Sequence, residues 1–274
     1  MKPIAELPPE EASHIRFILM DIDDTLTRDG KLLAASYTAL WKLRDAGFVV
    51  IPVTGRPAGW CDLIVREWPV DGVVGENGAL AFWEEPGSAE GGARPVLKTD
   101  FHPQALRNDH PALARIRERA LSAISGLRVA KDQFARMFDL ALDFAEEEPA
   151  LPLETAEQVR RIAVEEGAQA KISSIHVNVW MGVYDKLSMA ERFLTRRFGW
   201  QPGRGDNEVV FVGDSPNDEP LFARFPLSCA VANIHRYQGL ITRFPGFVSA
   251  QECGDGFAEI VERILVCAKF PKKP

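Results

Sequence analysis

Residues 15–25 read IRFILMDIDDT, an apolar run, Phe17-Ile18-Leu19-Met20, that ends abruptly in Asp21, Asp23 and Asp24. An uninterrupted apolar run of this length suits a strand buried on both faces, as in a parallel sheet, and the acids mark where that strand empties into a site. Side chains alternate with period two along a strand, so Asp21 and Asp23 leave the extended backbone on the same side. One carboxylate can attack while the other handles protons.

Working outward, Tyr37, Leu40, Trp41 and Leu43 form the apolar face of a helix, with Ser36 as its N-cap and Gly47 as its stop. A second buried strand, FVVIPV over 48–53, leads into Thr54-Gly55-Arg56-Pro57 and a short helix over 58–67. A third strand, 72–74, runs into the turn signal Glu76-Asn77-Gly78 and then 79–83. Strands alternating with helices predict a parallel sheet with right-handed crossovers, a doubly wound, Rossmann-like α/β core.

The character changes at EEPGSAEGGARP, 84–95, a Gly/Pro-rich charged segment that reads as a hinge into an α+β insert over 85–182. Within it 112–124 and 154–166 are helix-like. Phe138, Leu140, Leu142 and Phe144 share one strand face, and Ile175, Val177, Val179 and Met181 share another. The α/β rhythm resumes with a helix from Lys186, a strand over 208–212, the loop Gly213-Asp214-Ser215-Pro216-Asn217-Asp218, and a last helix over 256–267. The predicted division is a disordered leader 1–13, a core of 14–84 with 183–274, and an inserted cap 85–182.

With 274 residues, 46% of them hydrophobic and 26% charged, the chain has ample material for a core and no disordered bias. A formal charge of −7 argues against nucleic acid as partner, because that affinity rests on Lys and Arg neutralising phosphates. No stretch reaches the roughly 18 apolar residues of a membrane span. The four cysteines, Cys61, Cys229, Cys253 and Cys267, are scattered and form no C-x-x-C, which suits a reduced cytoplasm. The terminal KFPKKP reads as a solvated basic tail.

Three strands end in polar groups: Asp21 with Asp23, Thr54, and Asp214 with Asp218. Ligands bind at the carboxyl edge of an open parallel sheet, so these distant residues are expected to converge. Asp214 and Asp218 also suit an N-cap and first-turn acids of the following helix, a role compatible with metal binding. Lys186 at a helix start opposes the helix dipole, a mismatch that calls for a charged partner elsewhere.

Asp21-Ile22-Asp23-Asp24-Thr25, Val53-Thr54-Gly55-Arg56, Lys186 and Gly213-Asp214-x-x-Asn217-Asp218 resemble, in order and spacing, the four motifs of the haloacid dehalogenase (HAD) superfamily. With its α+β insert between the second and third motifs, the chain resembles the type IIB branch with a type C2 cap, which includes Cof-like, sucrose-phosphate and trehalose-phosphate phosphatases. The resemblance implies a Mg²⁺-dependent phosphatase acting on a small phosphorylated metabolite, such as a sugar phosphate, through an aspartyl-phosphate. Asp21 would be the nucleophile and Asp23 the general acid and base. Asp21, the backbone carbonyl of Asp23, Asp214 and Asp218 would hold Mg²⁺, a hard cation that prefers oxygen. Thr54, Gly55, Lys186 and Asn77 would bind the phosphoryl group, and Ser215 and Asn217 would orient the metal loop.

Arg56 reads equally as a substrate contact or as the partner of an acid. His176 and Asn178, with Ser174 and Trp180, lie on the polar face of a cap strand that would select the leaving group if turned to Asp21. Two rival functions are a phosphomutase of the same fold, whose cap needs a basic cluster for which Arg128, Lys131 and Arg136 are the candidates, and a non-catalytic phospholigand-binding protein. The pair of strand-end carboxylates argues against the latter.

Overall fold

A computed structural model describes residues 1–87, 94–173 and 175–267; the KFPKKP tail and Ser174 lie outside them. Six strands form an all-parallel sheet in the order Lys2–Pro3, Phe247–Val248, Leu227–Ala230, Val209–Gly213, Phe17–Met20, Val49–Pro52. Side chains on the inner strands alternate between two apolar layers. Ile18, Met20, Val50 and Val212 face the helices Ala34–Asp45, Ala58–Glu67 and Cys253–Cys267, while Phe17, Leu19, Ile51 and Phe211 face Lys186–Phe198 and Glu219–Arg224. Helices on both faces of a parallel sheet make the doubly wound core, and they explain why its strands are apolar on both sides.

Beyond Val49–Pro52, a single bridge between Val53 and Val74 joins the sheet to three antiparallel strands, Val73–Gly75, Leu80–Glu85 and Val96–Phe101. The insert that follows builds a four-stranded antiparallel sheet, ordered Gln169–Ile172, His176–Trp180, Asp139–Asp143, Arg128–Val129. One face of it is sealed by the helices Pro111–Ala123 and Leu153–Glu165, whose Leu113, Ile116 and Val159 meet Leu140, Leu142, Val177 and Val179. The other face carries the polar side chains and turns toward the core.

Several expectations need correction. Residues 1–13 are not a disordered leader: Lys2–Pro3 adds an edge strand beside Phe247–Val248, and Ile4, Leu7 and Ala12 are buried in the core layer. Spaced apolar residues among prolines pack as single anchors, and no periodic pattern reveals this. The insert begins later than residue 85, since Leu80–Glu85 continues the core extension and Val96–Phe101 pairs along its whole length. Ser36 is not an N-cap; it lies inside the helix and its hydroxyl donates to the Leu26 carbonyl at 2.7 Å, while Trp41 is 44% exposed. Phe138 leaves the cap cluster and packs in the core layer with Trp180 and Tyr184.

Candidate active site

Asp21, Asp214 and Asp218 meet at the carboxyl edge of the parallel sheet, each offering a carboxylate oxygen within 4.8 Å of the others, and all three are buried. Adjacent strands bring the first two together, because Met20 and Val212 are paired in register and the Asp21 N–H donates to the Val212 carbonyl at 2.9 Å. Asp218 folds back through the short turn after Asp214, and its Oδ2 accepts the Asp214 N–H at 3.1 Å. That approach requires Gly213, since a Cβ there would lie 2.4 Å from Asp218 Oδ2.

Lys186 resolves its mismatch with the helix dipole here. Its Nζ stands 3.0 Å from Asp21 Oδ1 and 3.0 Å from Asp218 Oδ1, with the ammonium almost wholly buried. The helix start is held by Asp185, which caps it through the Ser188 N–H at 2.7 Å, and by Gly78, where any Cβ would fall 2.0 Å from the Asp185 carbonyl. Burial favours the neutral amine at Lys186, but Asp21 and Asp218 outweigh it and hold the ammonium charged. Burial pushes Asp21 up to about 7, with Lys186 pulling it down and Asp218 and Asp23 pushing the same way as burial. Asp214 is raised well above its ordinary value by burial and by Asp218 and Asp21.

Three buried acids against one ammonium leave the site short of positive charge, and all the surplus ligands are hard oxygens. This donor set fits a divalent metal ion such as Mg²⁺. Asp21 titrates at about 7 in the fold against 3.8 ordinarily, so its protonated form is the one the metal-free fold favours. Its contribution to stability is therefore present below about 4 and lost as pH rises through about 7. A metal needs the deprotonated acids and reverses that loss. The gain in melting temperature on adding Mg²⁺ is thus expected to be larger at pH 8 than at pH 5.5, as scanning calorimetry can measure; an equal gain at both would contradict this titration.

Asp23 stands further out, half exposed, gripped by Arg56 through Nη2 at 2.7 Å and Nε at 3.1 Å. Arg56 also lies over the Trp60 ring at 5.0 Å, so it is at least the partner of an acid. Thr54 is fully buried behind Gly55; its hydroxyl accepts the Arg56 N–H at 3.1 Å and its N–H donates to Val74. Gly55, and not Thr54, is on the cavity wall. Asn77, in a left-handed backbone conformation, is buried with its amide nitrogen lacking any partner, and it lines the cavity beside Asp21. Ser215 donates to Asn217 Oδ1 at 2.7 Å, and Asn217 reaches the cavity.

That cavity, about 470 Å³, runs between core and cap, with Asp21, Asp23, Asn77, His176 and Asn178 in its walls. The polar strand face does look toward Asp21, although His176 is paired with Glu146 at 2.8 Å and Asn178 with Asp139 at 2.9 Å. Trp180 lies apart, buried at the core–cap junction. The three basic candidates for a second phosphate site do not converge. Arg128 is tied to Asp143, Lys131 to Glu147, and Arg136 to Asp132 and Asp139; of the three only Arg136 lines the cavity.

Some residues of the site escaped the sequence reading. Asn233, buried, donates to Asp214 Oδ2 at 2.9 Å and to the Asp24 carbonyl at 3.0 Å, while Thr25 reaches Asp214 Oδ1 at 3.3 Å. Asn233 follows the Leu227–Ala230 strand, and recognising that strand would have put it at the same carboxyl edge. Lys171 enters the cavity wall because it pairs in register with Asn178, a pairing only the sheet defines.

A family model of haloacid dehalogenase-like hydrolases matches residues 18–89, which hold the first strand and its acids, the Thr54 loop and Asn77. No match was found among curated protein sequences. Solved structures share the fold over more than nine-tenths of the chain. A Thermoplasma acidophilum protein superimposes with a TM-score of 0.67 at 20% identity, covering 92% of this chain and 99% of its own. A phosphatase of the haloalkanoate superfamily from Bacteroides thetaiotaomicron gives 0.60 at 19%, covering 95% and 98%. The sucrose-phosphatase of Synechocystis, solved with sucrose and phosphate, gives 0.58 at 16%, covering 92% and 98%. Identities this low speak for the fold. Over residues 18–89, which include the buried Asp21, the chain is similar in sequence to haloacid dehalogenase-like hydrolases, and over most of its length it shares the fold of the solved structures.

Proposed function

We propose that the protein is a Mg²⁺-dependent phosphatase of the type IIB branch that hydrolyses a small phosphorylated metabolite, such as a sugar phosphate, in the cytoplasm. The observation that carries this is the placement of Asp21: a buried carboxylate beside an ammonium, two further acids fit to hold a metal, and the orphaned amide nitrogen of Asn77. A phosphate monoester is anionic, and an anionic nucleophile reaches it only where positive charge and N–H donors meet its oxygens. A bound Mg²⁺ would supply the remaining charge, held by Asp21, Asp214 and Asp218 with the Asp23 carbonyl.

In the first half-reaction an Asp21 oxygen bonds to phosphorus as the bond to the leaving oxygen breaks, and Asp23 gives that oxygen a proton. In the second, Asp23 takes a proton from water as the water oxygen bonds to phosphorus, and the bond to Asp21 breaks to release phosphate. Splitting one displacement into two gives each a better nucleophile and leaving group. Lys186, Gly55 and Asn77 line the phosphoryl side, with Thr54 bracing the loop that carries Gly55. His176 and Asn178 face the leaving group, a polar wall suited to hydroxyls. Four buried free thiols suit a reducing compartment.

A phosphomutase would require a second cationic pocket, and its candidates Arg128, Lys131 and Arg136 are each paired with a carboxylate of the cap. The test is a panel of phosphorylated sugars, nucleotides and cofactors plus a generic aryl phosphate, with Mg²⁺ or with chelator. Release of phosphate from at least one compound, only with Mg²⁺, is expected; no release from any would refute the proposal.

A further inference from the structure

Glu76 is fully buried, yet no side-chain cation among the described residues pairs with it. Its carboxylate accepts four backbone N–H groups. Oε1 takes those of Ala58 at 2.9 Å and Met137 at 2.8 Å; Oε2 takes those of Phe138 at 2.7 Å and Asp139 at 3.1 Å. Ala58 opens the core helix behind Gly55 and Arg56, and residues 137–139 lead the insert into its central strand. One side chain thus ties core to cap. Arg136 reinforces the seam, donating to the Gly55 carbonyl at 3.2 Å and to Asp139 at 3.0 Å.

A buried carboxylate is costly to desolvate, and the four N–H groups offset that cost while depending on it for their only acceptors. What the carboxylate adds is direction. Glu76 and Asn77 both hold left-handed backbone angles, φ 44° and 55°, which Asn tolerates but which cost a Glu and call for a restraint. The restraint at Glu76 sits one residue from the unpartnered amide of Asn77, whose Oδ1 would lie 3.1 Å from a Cβ on Gly55.

We infer that Glu76 is a positioning residue: it locks the cap strand and the Gly55 loop to one turn and so aims the Asn77 amide at the phosphoryl site. The role at that site rests on the phosphatase reading; the lock itself does not.

The test uses the full chain and hydrogen exchange resolved to single amides. In the wild type, the amides of Ala58 and residues 137–139 should be protected like those of Val209–Gly213, and exchange as fast as in exposed loops would overturn the inference with no variant needed. In Glu76→Gln, whose amide turns donors toward donors, exchange at those four positions should rise roughly tenfold or more. That at Val209–Gly213 should stay unchanged. Inorganic phosphate binding with Mg²⁺, by calorimetry, should weaken roughly tenfold in Glu76→Gln and in Asn77→Ala, and no further in the double variant. Additive losses, or unchanged exchange, would sink the positioning role. Absence of turnover on every phosphate ester, with the exchange pattern and the non-additive binding intact, would refute only the phosphatase reading.

Discussion

Asp21→Asn is expected to lower phosphate release by at least ~10⁴-fold, as losing a covalent nucleophile does elsewhere. An amide oxygen neither attacks phosphorus effectively nor forms a stable ester to be hydrolysed. The loss should appear in kcat on every substrate, because it strikes the chemical step and not the fit of the leaving group. The fold should survive, and in the metal-free state it should gain stability at pH 8. The substitution removes one of three buried negative charges that face a single ammonium. The stabilisation conferred by Mg²⁺ should shrink in parallel, since a ligand of the cluster is gone. Full activity in Asp21→Asn would make the nucleophile assignment wrong.

The second large effect is expected from Lys186→Met, which keeps the apolar stem and removes the charge. Asp21 and Asp218 then confront each other with no cation, and breaking a buried ion pair of this kind costs about 3–5 kcal/mol. In chelator at pH 8 the melting temperature should fall by on the order of 10 °C. Mg²⁺ should restore much of that loss, because a cation held by the acids replaces the missing positive charge. Activity should stay low even when the metal restores stability, by roughly 10²–10³-fold, as for loss of one fixed charge or donor at a phosphoryl group. A Lys186→Met protein as stable in chelator as its parent would mean that the ammonium contributes nothing to the cluster.

The two variants separate the twin roles of these residues. Asp21 lowers metal-free stability and enables chemistry, while Lys186 supports both. A site that keeps three acids together with one ammonium is poised to take up positive charge, and the stability lost in the empty state is recovered on binding.

Much of this was legible in one dimension. A strand buried on both faces must be apolar throughout, so FILM and VVFVG announce themselves, and their abrupt endings in acids reveal a sheet edge where ligands bind. Lys186 was legible from a conflict, a cation placed against a helix dipole, and the conflict is settled by Asp21 and Asp218. The cap strands were legible from clean alternation, because one face meets helices and the other meets the cavity.

What sequence could not disclose depends on pairing between distant segments. Ile4 and Leu7 bury singly against a helix more than two hundred residues away, with no periodicity to mark them. Val96–Phe101, half exposed, is a strand only because Leu80–Glu85 lies beside it. Asn233, Lys171 and Glu76 belong to the site through register and turn geometry, and each is an ordinary polar residue until its neighbours are known. Sequence by itself determined the parallel core, its catalytic edge and the acids there, because local periodicity and strand ends record burial. Only the tertiary structure decided which donors face those acids and how the cap is tied down, because hydrogen bonds across a seam depend on contacts that no local pattern encodes.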